Sequence, residues 1–315
     1  MTHFCITQIS HISKLEELIN NREYITELEI GIHCDINHLL RILKDLQKLT
    51  LRYNYNQLTD LSECINLTYL RFKGDYEQPI DLSKCTKLQY LIFEECDYDQ
   101  SIVLPKCLKR LYFGIKYDQL TDLSTLINLT DLEFVGDYNQ LTDLSHPVNL
   151  IILKFGKEYD QPTDLSKLVD LESLEFGDEY NQPTDLSKLV NLKYLKFGNK
   201  YNQPTDLSKL EKLKDLHFGE EYNQPTNLSK LVNLVKLHFD GMNYNQLTNF
   251  SSLVNLEELE FCDHIWYETT DDYDFEMSYD QPTDLSKCVK LKSVDGYCGK
   301  EEIDEYLKKL INHLI

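Results

Sequence analysis

Alanine is missing from all 315 residues, and tryptophan occurs once, at Trp266. With Asn, Lys, Ile, Tyr and Asp abundant, the missing alanine points to an AT-rich coding sequence. Positive charge is scarce: 32 Lys and Arg stand against 53 Asp and Glu, a formal charge of −21. A field of that sign repels a nucleic-acid duplex or an anionic membrane surface. Neither is expected as a partner, and a protein with a basic surface is. No stretch approaches the ~20 apolar residues of a membrane span. Met1 to Ser13 lacks the basic start and continuous apolar run of a secretion signal, so a cytoplasmic, non-secreted protein is expected. Cys-x-x-Cys pairs are absent too. The nine cysteines are odd in number and irregularly spaced, which argues against a disulfide framework or a zinc knuckle and for a reducing compartment. Gly-rich phosphate loops, His-Glu-x-x-His and Gly-x-Ser-x-Gly do not occur. The expectation is therefore no enzyme and no cofactor.

What the chain does contain is repetition. Tyr followed by Asn, Asp or Glu and then Gln recurs at Tyr55, Tyr76, Tyr98, Tyr117, Tyr138, Tyr159, Tyr180, Tyr201, Tyr222, Tyr244 and Tyr279, and 21 residues is the commonest interval. Ahead of these tyrosines lies Leu-x-x-Leu-x-Phe, as at Leu129/Leu132/Phe134 and Leu192/Leu195/Phe197. Alternation of Leu and Phe puts both on one face of a short strand. A strand that short cannot bury its face alone, whereas one strand per copy stacked into a parallel sheet can.

The remaining slots are read in the same way. Gly after the Phe, as at Gly114, Gly156, Gly177, Gly198 and Gly219 or slightly later at Gly74, Gly136 and Gly241, lets the backbone turn sharply. Pro follows the Gln at Pro79, Pro162, Pro183, Pro204, Pro225 and Pro282. Because Leu58, Leu120, Leu141 and Leu247 replace it, the slot is expected to be apolar and inward. Asp60, Asp164, Asp185 and Asp206 are of the type that accepts backbone N–H groups in a cap or turn. About eight residues then remain before the next strand, room for a turn or 3₁₀ segment on the outer side. The Gln of every copy is expected to build an internal amide ladder. Cys64, Cys85 and Cys288 stand where Leu168, Leu189, Leu210 and Leu231 stand elsewhere, and read as small buried hydrophobes.

Before Leu51 the pieces Tyr24 to Ile30 and Leu46 to Leu51 look strand-like, and Ser13 to Asn20 and Asp35 to Asp45 helical. Ile303, Tyr306, Leu307, Leu310, Ile311 and Leu314 have helical spacing. The organisation expected is an N-terminal cap of divergent repeats over 1–51, a repeat body over 52–299 and a C-terminal capping helix over 300–315. Between Phe261 and Tyr279 lies an insert, residues 262–278, holding Trp266, Tyr267, Tyr273 and Phe275. Insertions in stacked repeats become surface loops, so this one reads either as a contact element or as a cover over the last repeats.

Outward strand positions vary between copies, and recognition belongs there. Glu133, Lys154, Glu175 and Lys196 read as a self-compensating ladder. Tyr69, Arg71, Tyr90, Ile92, Arg110 and Tyr112 instead form a Tyr/Arg cluster around Ile92, the composition of interface hot spots. With Trp266 and Tyr267 they are the candidate protein-binding residues. His217 and His238 occupy equivalent outward positions in adjacent copies. Two such histidines could hold a metal, but no further ligand is obvious, and none is expected.

The run Leu-x-x-Leu-x-Phe-Gly-x-x-Tyr-Asn-Gln-Pro resembles the FNIP repeat, a leucine-rich-repeat variant of social amoebae and giant DNA viruses. Leu104-Pro-Lys-Cys-Leu-Lys-Arg-Leu-Tyr-Phe-Gly-Ile-Lys-Tyr-Asp-Gln119 carries it best. Most copies depart from it with Asp-Leu-Ser-x-Leu, which is similar to internalin-type repeats. The resemblance covers roughly residues 50–297. It implies an α/β repeat solenoid of leucine-rich-repeat type, with one short parallel strand per ~21-residue copy, and a role in protein–protein interaction. In giant viruses such repeats often follow an F-box, which implies substrate recruitment to a ubiquitin ligase; residues 1–50 show no F-box pattern. The acidic, alanine-free composition suits a giant-virus origin. A structural or assembly component of a viral particle is the competing expectation.

Overall fold

The computed structural model describes residues 2–6, 10–20, 24–33, 35–53, 55–74, 76–241, 243–261, 279, 281 and 283–295. The insert at 262–278, with Trp266, Tyr267, Tyr273 and Phe275, and the expected helix at 300–315 lie outside the described residues. The chain divides into two compact units, Met1–Lys157 and Glu158–Ile315.

The first unit runs β1 (Thr2–Ile6), α1 (Ser10–Asn20), β2 (Ile25–Ile30), α2 (Asn37–Leu40), β3 (Lys48–Leu51), β4 (Tyr69–Lys73), β5 (Tyr90–Glu94), β6 (Arg110–Phe113), β7 (Asp131–Phe134) and β8 (Ile152–Lys154). The second runs β9 (Ser173–Glu175), β10 (Tyr194–Lys196), β11 (Asp215–Phe218), β12 (Lys236–Phe239), β13 (Glu258–Phe261) and β14 (Ser293–Asp295). Within each unit every strand pairs in parallel with the next in chain order. Each unit is therefore a parallel-sheet solenoid with a period of about 21 residues, as the repeat predicts. Its first strand, β1, was not anticipated: Met1 to Ser13 has no Leu-x-x-Leu-x-Phe run to mark it. The helical expectation for Asp35 to Asp45 shrinks to α2, with hydrogen-bonded turns after it.

Register places like on like. Leu195 stands beside Leu174 and Leu216, and Phe218 beside Phe239. Leu192, Leu195 and Phe197 are wholly buried. Behind the strand the Phe and Tyr rings form two interleaved columns. Phe197 lies 5.7 Å from Phe176 and 5.5 Å from Phe218, and Tyr201 lies 6.1 Å from both Tyr180 and Tyr222. Within the turn the Phe197 and Tyr201 rings are 4.0 Å apart. Such offset aromatic pairs contribute about 0.5–1.5 kcal/mol each beyond the area they bury. Tyr279 stacks 5.9 Å from Tyr244, so the column continues across the long interval between these two copies.

Polar groups inside the stack are paired from turn to turn. Asn181 Oδ1 accepts both the Gln203 side-chain amide and the Asn202 backbone N–H, each at 3.0 Å, and Asn202 Oδ1 does the same for Gln224 and Asn223. The expected Gln ladder is there, but its acceptor is the Asn or Asp beside the Tyr, not another Gln. On the outer side Asp185 Oδ1 accepts the Ser187 N–H at 2.8 Å, which holds the Asp185 carboxyl below the usual carboxylate range. Asp60, Asp164 and Asp206 accept the N–H of the residue two further on in the same way. The turns that follow carry i to i+3 bonds such as Leu189 N–H to the Leu186 carbonyl.

Two expectations are corrected. The Pro/Leu slot after the Gln points outward: Leu58, Leu120, Leu141 and Leu247 are 62–74% exposed, and Pro162, Pro183, Pro204 and Pro225 are exposed too. The next residue goes inward instead, for Thr59, Thr121, Thr142, Thr226 and Thr248 are buried. A Thr is tolerated there because its hydroxyl meets the Tyr hydroxyl four residues earlier, 2.8 Å for Tyr138 and Thr142, and donates to the intervening Gln carbonyl. The glycines also differ in their reason. Among the described residues, Gly74 and Gly136 are the glycines with positive φ, +89° and +81°. At Gly198 and Gly219 the requirement is room, since an added Cβ would sit 1.8 Å from the Gly177 carbonyl oxygen and 2.1 Å from that of Gly198.

Cys64, Cys85 and Cys288 are fully buried, as their Leu slots predict, and burial pushes their thiols up to about 11, 12 and 11.

Gly198→Ala is expected to lower stability by about 1–3 kcal/mol or more through overpacking of backbone on backbone, read as a fall in the urea midpoint. The column tyrosines give a second expectation. Burial raises Tyr76, Tyr117 and Tyr244 from 10.0 to about 12. These phenols hold their protons more tightly folded than unfolded. Stability is therefore unaffected below about pH 10 and falls as pH rises from 10 toward 12. Tyrosinate absorbance should appear cooperatively with loss of circular dichroism across that window, and gradual ionisation without unfolding would contradict this.

Candidate functional site

Strands β4, β5 and β6 carry the outward residues that break the charge pattern of the sheet. Register lines up Tyr69, Tyr90 and Arg110 in one row and Arg71, Ile92 and Tyr112 in the next. The sheet thus brings all six into one patch. The Tyr69 and Tyr90 rings are 6.1 Å apart at 39°. Tyr90 is 38% exposed, Arg110 is exposed, and the other four are half-buried. Burial raises the Tyr112 phenol, with help from the charges of Glu133 and Glu95.

The two arginines are held in place. Arg71 pairs with Glu94, whose other oxygen lies 3.8 Å from Lys73, and Arg110 reaches Asp131 at 2.7 Å. Each guanidinium keeps further N–H donors beyond the carboxylate it meets. Its orientation is fixed in advance, which lowers the entropy lost on contact.

The structure adds residues that sequence reasoning missed. Tyr53 is 47% exposed, and its hydroxyl donates to Glu95, which raises the Tyr53 phenol. Lys73 lies 5.5 Å over the Tyr53 ring. Glu95 has a φ of +48°, the one non-glycine among the described residues in the left-handed region. It stands two residues after Phe93, the slot that Gly74 and Gly136 fill after Phe72 and Phe134. A side chain kept in a glycine slot is locally strained, and such strain concentrates at functional positions. A sequence signal was there to read: Glu replaces Gly, and the tyrosine spacing on either side of Tyr98 changes to 22 and then 19 residues.

Elsewhere the outward face neutralises itself. Lys154 lies 3.8 Å from Glu133, Lys196 3.9 Å from Glu175 and Lys236 2.6 Å from Glu258. His217 and His238 lie side by side as expected, their rings stacked at 4.3 Å. Asp215 joins them as a third potential ligand, which the sequence reading did not see. Trp266 and Tyr267 lie outside the described residues.

No protein-family model and no curated protein matches the chain. Solved structures do. The internalin InlF of Listeria monocytogenes aligns with a TM-score of 0.54 at 21% identity, over 93% of this chain and 78% of its own. The functional domain of InlJ from the same organism gives 0.62 at 19% identity, over 86% and 61%. A leucine-rich-repeat protein of Leptospira interrogans gives 0.53 at 16% identity, over 93% and 88%. The fold is of the leucine-rich-repeat type. Among the described residues, no helix is long and apolar enough to cross a membrane.

Proposed function

We propose that the chain is a non-enzymatic protein-binding module whose recognition surface is the outward face of β4, β5 and β6. Tyr69, Arg71, Tyr90, Ile92, Arg110 and Tyr112 form its centre, and Tyr53 and Glu95 its edge. The observation that carries this reading is the concentration of Tyr and pre-positioned Arg on three adjacent strands, where the surrounding sheet carries Lys/Glu pairs. Tyr and Arg are the residue types that anchor interfaces, because each offers a large apolar area together with directed donors. A chain charged −21 favours a partner with a basic surface.

The finer reading assigns the repeats to the FNIP-like class and the chain to the cytoplasm, in an organism or virus with an AT-rich genome, a giant virus by its composition. Among the described residues, free thiols at Cys5, Cys64, Cys85, Cys107 and Cys288 support a reducing compartment. The aromatic insert 262–278, with Trp266 and Tyr267, is a second candidate contact element by its composition. Abundance in purified particles, set against recovery of a partner from cytosol, separates a binding module from a particle component, and ubiquitin-ligase subunits among the recovered proteins would mark a substrate-recruiting adaptor.

Affinity purification of wild-type chain and of a Tyr90→Ala/Arg110→Ala variant should recover a protein that the variant loses. Measured on that partner, each single substitution is expected to weaken binding at least about 5-fold, roughly 1 kcal/mol. A partner bound equally well by both variants would place recognition elsewhere.

A further inference from the structure

In the second unit, β11 and β12 set His217 directly beside His238, and β13 sets Glu260 beside His238 on the other side. The imidazoles stack at 4.3 Å and 13°. One ligand atom from each of Asp215, His217 and His238 lies within 4.8 Å of the others, and all three residues are half-buried. We propose that these three residues bind one divalent first-row transition ion, with Glu260 orienting His238.

Three details of the geometry support this. His238 Nδ1 lies 2.7 Å from Glu260 Oε2. The carboxylate takes the Nδ1 proton as a hydrogen bond, which leaves the lone pair on Nε2. That Nε2 atom is buried and has no hydrogen-bond partner. A ring held by a carboxylate at one nitrogen and offering the other is the usual arrangement of a metal-ligating histidine. Asp215 Oδ1, in turn, lies 2.7 Å from His217 Nε2 yet makes no hydrogen bond and is buried. Ligand atoms around an ion with bonds of about 2.0–2.1 Å sit about 3 Å apart. The close, unbonded approach of Asp215 to His217 is near that separation, and small rotations of both rings would complete the set.

Donor chemistry selects the ion. Two imidazoles and one carboxylate suit Zn²⁺, Co²⁺, Ni²⁺ or Cu²⁺, whereas Ca²⁺ and Mg²⁺ take oxygen ligands. Three protein ligands leave a coordination position for water or for a group from another molecule. The ion would join two consecutive turns on the outward face, independently of the tyrosine–arginine surface.

The test is titration of the full chain with Co²⁺ under reducing conditions, followed by visible absorption, with Zn²⁺ as competitor. One equivalent of Co²⁺ should give ligand-field bands without a thiolate charge-transfer band, and Zn²⁺ should displace it. His217→Ala/His238→Ala should weaken binding at least about 100-fold, and Glu260→Gln about 10- to 100-fold. Circular dichroism melts establish that each variant is folded. If the double variant melts early, Asp215→Asn, which keeps size and shape, carries the same expected loss. Absence of one-equivalent binding, a thiolate band, or unchanged affinity in a folded ligand variant would overturn the proposal.

Discussion

Within each unit, the Leu, Phe and Tyr side chains of the stack meet their counterparts one turn along, in the same slot of the next copy. This lateral register is the constraint on which the structure depends. Leu sits beside Leu, Phe over Phe and Tyr over Tyr, at ring separations of 5.5 and 6.1 Å in the regular turns. A change in one slot is therefore felt by two neighbours. Gly198 shows how tight the match is, because its position admits no Cβ against the Gly177 carbonyl.

Register also resolves the polar side of folding. Backbone and side-chain groups enclosed between turns need partners, and the repeat supplies them from the adjacent copy. One Asn or Asp oxygen serves a Gln amide and a backbone N–H together. Tyr and Thr hydroxyls satisfy each other four residues apart. The buried polar content is thereby tied to one arrangement of the turns, since a slip would separate these partners as well as the rings.

With the inner slots fixed by packing, only the outward strand positions and the exposed turns vary freely. On most of that face opposite charges neighbour one another and cancel. Two places depart from the pattern in different ways. Around β5 the face becomes aromatic, with arginines held by carboxylates, and a glutamate occupies a left-handed position otherwise given to glycine. Around β11 and β12 two imidazoles and a carboxylate converge, with polar atoms left unmatched inside the protein. The first suits recognition of a protein surface, the second coordination of an ion.

The sequence by itself determined the period, the strand positions after β1, the buried Leu, Phe and Tyr, the cysteines in leucine slots and the row that gathers Tyr69, Tyr90 and Arg110. All of these follow from periodicity, because a residue repeated every turn must lie above its own copies. Tertiary structure decided what periodicity cannot carry. It turned Leu58 and Pro183 outward and Thr59 inward, because a hydroxyl that pairs with Tyr can be buried while an apolar slot without facing neighbours cannot. It supplied Glu94, Asp131 and Asp215 as partners, and it revealed Glu95 as strained. Those outcomes depend on side-chain direction and on contacts between different copies, and single-chain spacing records neither.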